Sequence, residues 1–213
     1  MSRKSRPTPV AGAQPEGPWG SAISQLSQWD PDWANACVRT STNPWRSGVL
    51  ERKFIELVSV GLAACCTSLD AEATRRHVRA ALGAGATREE IVFVLKCATV
   101  VSVHSCSLAA PILVDEARAS APEHVSTSRA GSTPAVDAMR AAGQWNAAWD
   151  PFLELDPVWT DELMATGVGI YRSDVMSPKQ VELLSIALDA SYLTSADSGH
   201  TDRRISTFTS ANV

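Results

Sequence analysis

Apolar positions recur on a helical period through most of the chain. Phe54, Leu57, Val58, Gly61, Leu62 and Cys65 form one stripe of a helix predicted from Leu50 to about Cys66. Asp70 to Leu82 reads as a further helix, closed by Gly83 and Gly85. Thr87-Arg88-Glu89-Glu90 is a capping box in which Thr and Glu each satisfy an amide of the first turn. It launches a long helix through Val92, Phe93, Leu95 and Val100 that is apolar nearly all round. Such a helix is expected to be buried, within a protomer and between protomers. Pro111 is expected to bend or interrupt it near Ala109. No segment alternates convincingly as a strand, so the predicted fold class is all-α.

The pattern also repeats at an offset of 126 residues. Asp30-Pro31-Asp32-Trp33 returns as Asp156-Pro157-Val158-Trp159, and Arg46-Ser47-Gly48-Val49-Leu50 returns as Arg172-Ser173-Asp174-Val175-Met176. Glu56-Leu57-Val58-Ser59-Val60-Gly61-Leu62 returns as Glu182-Leu183-Leu184-Ser185-Ile186-Ala187-Leu188. Both copies open on Asp-Pro, where Asp caps free amides and Pro stands where an amide would have no partner. Ser177-Pro178-Lys179-Gln180 opens the second copy's apolar helix in the same capping style. The expected organisation is a disordered tail (1–20), a first unit (21–118), a linker (119–143) and a second unit (144–213). After Leu188 only 25 residues follow, and they lack a clear counterpart of the first unit's later helices. The second unit is therefore expected to be incomplete, by degeneration or truncation.

Composition narrows the function classes. A net charge of −4 over 213 residues offers no basic footprint for nucleic acid, though a few local arginines suffice for an acidic ligand. The five cysteines form no Cys-x-x-Cys and no metal-ligand spacing, and their odd number argues against a disulfide framework. The basic N-terminus lacks an apolar core behind it, unlike a signal peptide. The apolar stretch Ile91–Val103, interrupted by Lys96 and Ser102, is short for a bilayer span. The expectation is a cytoplasmic protein that engages neither membrane nor nucleic acid.

His77 stands among Arg75, Arg76 and Arg79. A histidine can donate or accept a proton near neutral pH, and guanidinium groups can hold a carboxylate. A solvated basic helix face accounts for the same residues. Glu56 sits inside an apolar helix, where a carboxylate calls for a cationic partner. It is either a functional carboxylate or one half of a structural pair with Lys53, Arg52 or an arginine of the next helix. His104 can line a cavity, whereas Cys106, two residues on, projects about 200° away and reads as packing. Cys65-Cys66 is an uncomfortable disulfide pair and also reads as packing. Trp29, Trp33, Trp145, Trp149 and Trp159 cluster around the first helix of each unit and are expected to pack in core or interface.

Glu56-Leu57, the Arg75–Leu82 block with His77, and Gly85-Ala86-Thr87-Arg88-Glu89-Glu90-Ile91 together resemble the carboxymuconolactone decarboxylase family, which shares a helical fold with alkyl hydroperoxidase D-like proteins. The resemblance implies an alkyl hydroperoxidase D-like helical bundle and a homo-oligomer, trimeric or higher. It implies a cofactor-free lyase or isomerase acting on a small carboxylated lactone or related enolisable acid. His77 would deliver the proton with Glu56 as its partner, and Arg75, Arg76, Arg79 and His104 would bind substrate. Two departures bear on this. Cys97 stands near the place of the family's second histidine, and the peroxidase branch's Cys-x-x-Cys is missing. A thiol hydroperoxidase and a non-catalytic oligomeric member of the fold are the alternative readings.

Overall fold

The computed structural model describes residues 22–120 and 131–193. The expected tail, the stretch 195–204 of the second unit, His124 and His200 lie outside the described residues. Within them the chain is all-α, without a strand. The helices are α1 (Ala22–Trp29), α2 (Pro31–Ser41), α3 (Asn43–Ser47), α4 (Arg52–Ala64), α5 (Ala71–Gly83) and α6 (Arg88–Val100). There follow α7 (His104–Ser120), α8 (Pro134–Ala141), α9 (Asp150–Leu155), α10 (Pro157–Tyr171) and α11 (Pro178–Leu193).

Local chemistry sets where these helices begin. Asp30 accepts the Trp33 amide at 2.9 Å, and Asp156 accepts the Trp159 amide at 3.0 Å. Both arms of the Thr87–Glu90 capping box form, at 2.8 and 3.1 Å. Gly85 turns the chain between α5 and α6 at φ +89°, a conformation that costs glycine little. The starts of α2 and α10, and those of α4 and α11, are each 126 positions apart.

The two segments share one core. Phe54, Leu57 and Val60 of α4 pack with Phe93, Val94 and Cys97 of α6, and with Val181, Leu184 and Leu188 of α11. Gly61 fits closely here: a Cβ would stand 3.0 Å from Val94 Cγ1, which would have to give slightly, and 3.4 Å from Leu188 Cδ2. A second cluster gathers Val103, Val136, Met139, Trp149 and Met164. Its Val136 and Met139 belong to α8, which forms inside the stretch expected to be linker and packs on α10. A composition of Ser, Thr, Pro, Ala and Gly suggests a connector, but Val136 and Met139, three apart, share a face that packs.

Two further expectations change. Pro111 lies inside α7 without interrupting it, because Ala110 and Val114 are buried and packing holds the turns on both sides. The break comes earlier, as a 3₁₀ turn at Val101–Val103. The helical run Arg88–Ser120 is, by length and composition alone, apolar enough to cross a membrane, so the short stretch Ile91–Val103 understated it. Phe93, Val94, Cys97 and Ala98 are buried in the shared core, as in a packed core helix. Leu108, Ile112 and Leu113 of α7 are each more than half exposed. Of the tryptophans, Trp149 is buried, whereas Trp29, Trp33 and Trp159 are largely exposed.

Leu184 has no exposed surface and touches the first segment's core. Leu184→Ala is expected to lower stability by about 2–5 kcal/mol, from lost burial plus the cavity left behind. Urea unfolding followed by circular dichroism reads this. A single transition that moves as a whole is expected; loss confined to a minor phase would mean that α11 folds apart from α4.

Candidate functional site

Three helices converge on one buried carboxylate. Glu56 lies on the side of α4 that faces α3 and α5, with its side chain 3% exposed. The short helix α3 carries Trp45, whose Nε1–H donates to Glu56 Oε1 at 2.8 Å. Asp70 caps α5 through the Ala73 amide at 2.9 Å and so sets the register that brings His77 across from α4. His77 Nδ1 stands 2.8 Å from Glu56 Oε2, and Arg52 Nε stands 3.9 Å from Oε1. The Trp45 and His77 rings lie nearly parallel, 18° apart, with centroids 6.3 Å apart. Lys53, the other basic residue near Glu56 in sequence, is committed to Glu90 at 2.8 Å.

Burial pushes the Glu56 carboxyl up. The hydrogen bonds from His77 and Trp45 and the charges of His77 and Arg52 outweigh burial and hold it below its ordinary value. Glu56 is therefore an ionised acceptor, and it fixes the proton of His77 on Nδ1. That leaves Nε2 as the position able to exchange a proton with a ligand.

The other predicted residues sit elsewhere. Arg75 is exposed and paired with Glu72 at 2.6 Å. At 100° per residue, Arg75 and Arg79 leave α5 about 160° from His77, and Arg76 about 100°. The basic triplet therefore does not gather round the His77 ring; Arg52 is the cation beside the pair. His104, at the start of α7, meets Asp189 of α11 at 2.9 Å instead. Cys97 is buried, and burial pushes its thiol up to about 12. Cys65 is buried as well. Burial raises its thiol, but hydroxyls of Thr67, Ser68 and Ser191 together bring it below its ordinary value. All five cysteines are free.

A cavity of about 340 Å³ opens on the second segment's side of the core. Tyr171, Glu182, Ser185 and Asp189 line it together with His104, and Trp145 and Trp149 form part of its apolar wall. Neither Glu56 nor His77 lines it. Trp45 and Asp189 went unsingled in the sequence because an indole or a carboxylate meeting a distant partner leaves no local period. The offset of 126 was a usable signal for the cavity, since it maps Trp45 onto Tyr171 and Glu56 onto Glu182.

Residues 31–104 match the model of the carboxymuconolactone decarboxylase family, a span that contains Trp45, Glu56 and His77. That stretch of the chain is thus similar to the family. A crystal structure from Burkholderia xenovorans LB400, of a candidate gamma-carboxymuconolactone decarboxylase subunit, is similar at 27% identity and a TM-score of 0.65. The similarity covers 80% of this chain and 70% of the other. No curated protein matches the chain. These similarities support a decarboxylase-like or alkyl hydroperoxidase D-like function at a coarse level.

Because Glu56 is depressed below 4.5 in the fold, its contribution is full above that value and is lost as pH falls through the folded value. At pH 7, Glu56→Ala is expected to cost about 3 kcal/mol, since two partly buried donors lose their buried acceptor. The gap between wild type and Glu56→Ala should shrink below about pH 4.5. Denaturant titrations at pH 7, 5, 4 and 3 measure it; a gap that does not change with pH would mean that the carboxylate charge is not what the site uses.

Proposed function

We propose that the protein is a cofactor-independent lyase or isomerase that acts on a small carboxylated lactone or related enolisable acid, with His77 as its proton-transfer group. The observation that carries this reading is the 2.8 Å contact between His77 Nδ1 and the buried Glu56 carboxylate. Glu56 is a positioning residue: it sets the ring's tautomer and stabilises the imidazolium. In a decarboxylation the bond from ring carbon to carboxylate breaks, carbon dioxide leaves, and the electron pair spreads to the ring carbonyl as an enolate. His77 Nε2–H then gives its proton to carbon, and the ring returns to its neutral form. Arg52, on the rim of the pair, is placed to attract the substrate carboxylate. Arg75, Arg76 and Arg79 would contribute at longer range, as a positive field along α5.

A thiol peroxidase is the weaker reading. Its best support is the lowered Cys65 thiol. Against it, Cys65 is 2% exposed and its polar neighbours are hydroxyls rather than a base. A thiolate attacking a peroxide needs access as well as a lowered proton affinity.

Assembly belongs to the same reading. The solved relative is named as a subunit, and Leu108, Ile112 and Leu113 present apolar surface along α7. We infer a homo-oligomer that covers this face. Light scattering should give a mass of at least three chains, and Leu108→Glu with Ile112→Glu should lower it. A wild-type monomer would refute the inference.

Ultraviolet-monitored loss of 4-carboxymuconolactone tests the chemistry. Wild type should turn it over, and His77→Ala should lower kcat about 10²–10⁴-fold with the fold intact by circular dichroism. Turnover that survives His77→Ala removes the histidine from the reaction. Peroxide consumption with a dithiol, lost in Cys65→Ser, would move the function to the thiols.

A further inference from the structure

Glu182 occupies the position 126 residues after Glu56, yet its surroundings are opposite. Glu56 has Trp45, His77 and Arg52 around it. Among the described residues Glu182 has no hydrogen-bond partner and no ion pair, though it is partly buried in the cavity wall. Arg52 maps onto Pro178, which carries no charge. Glu182, Ser185 and Asp189 stand at i, i+3 and i+7 and so line one stripe of α11 along the cavity. Asp189 is answered by His104 at 2.9 Å. Glu182 is therefore the carboxylate left over.

The remaining wall is apolar and aromatic. Trp149 Nε1–H donates to Ser107 Oγ at 2.9 Å, and Trp145 Nε1–H donates to Asp150 Oδ1 at 2.9 Å. Both indoles thus spend their polar atom away from the cavity. They meet edge to face, with centroids 5.4 Å apart at 79°. Met139, Met164 and Ile170 complete this part of the lining, which holds no lysine and no arginine. Arg140 lies over Trp145 at 5.0 Å and is paired with Asp150 at 3.4 Å.

We propose that this cavity is a second binding site, selective for a small organic ammonium ion with an apolar body, whose cation pairs with Glu182 and whose body packs against Trp145 and Trp149. A volume of about 340 Å³ suits a small ligand. An acid of the kind proposed for the His77 site would meet two carboxylates here and only one compensating group, His104. An ammonium ion instead supplies Glu182 with a donor and a countercharge, and aromatic walls favour cations over anions. The titration of the wall agrees. Burial, and then the charge of Asp189, push the Glu182 carboxyl up. Burial, together with the charges of Glu182, Asp189 and Cys97, pushes Tyr171 up to about 12 against the opposing Ser185 hydroxyl. Burial leads both shifts, and the charge of Asp189 adds to each.

Calorimetry on the full chain at pH 7.5, with 2-phenylethylammonium, 2-phenylethanol and 3-phenylpropanoate as probes, tests the proposal. The ammonium ion should bind about tenfold or more tightly than either the alcohol or the acid, as expected for a charge-assisted contact. Glu182→Gln should abolish that preference, and Gly167→Leu, which fills the cavity from α10, should weaken all binding. Circular dichroism checks that both variants fold. His77→Ala should bind the ammonium ion as wild type does, which separates this site from the proposed reaction. Failure of the ammonium ion to bind the full chain, equal binding of the three probes, or a preference that survives Glu182→Gln would overturn the proposal.

Discussion

The close approach of α4 and α11 is the constraint on which both sites rest. Gly61 eases the fit: a Cβ there would make ordinary contact with Leu188 of α11 at 3.4 Å but would stand 3.0 Å from Val94 Cγ1 of α6, which would have to give by a few tenths of an ångström. With the backbones drawn together there, Leu57, Val60, Leu184 and Leu188 lose all contact with solvent. Apolar burial of this kind supplies the driving force for joining the segments. It also fixes the direction in which each helix presents its glutamate. Glu56 is turned toward α3 and α5, and Glu182 toward the cavity beneath α10.

The same chemical group then meets two environments. A carboxylate removed from water is tolerated when donors and cations replace its hydration. Around Glu56 the replacement is complete, so the group stays ionised and holds an imidazole in one tautomer. Around Glu182 it is incomplete, and burial raises the carboxyl instead. Repeated helices at an offset of 126 residues thus give one scaffold with two electrostatic characters. Among the described residues the difference includes Arg52 against Pro178, and Trp45 against Tyr171.

Much of the helical architecture was legible because caps are local. Asp30-Pro31, Asp156-Pro157 and Thr87–Glu90 act within one turn, and each helix begins where they say. The pairing of Glu56 with a basic group of the next helix was legible in kind, since an apolar stripe interrupted by a carboxylate demands a partner. Its geometry was not. Clustering in sequence suggested that Arg75, Arg76 and Arg79 surround His77, but consecutive helical residues diverge by 100°, and Arg75 turns to Glu72 at the surface. Proline was read as a break at 111 because its local cost is known, whereas the packing of Ala110 and Val114 that holds the helix is non-local. α8 was hidden for the complementary reason, since its apolar face is short and gains meaning only against α10.

The cavity extends that lesson from fold to chemistry. His104 and Asp189 are 85 residues apart, and no pattern within either helix announces their contact. His104 is expected to line a cavity and, by the family resemblance, to bind substrate; it does line the cavity. The fold separates it from the arginines, which stay on α5, and His104 spends its charge-forming nitrogen on Asp189. A histidine whose Nε2 meets a carboxylate is less available to anchor an incoming one. In the proposed reading the acid-binding role falls to the Glu56–His77 side, where Arg52 stands, and the cavity takes the opposite preference. Two such sites of opposite charge selectivity on one core would be occupied together without competing for a ligand.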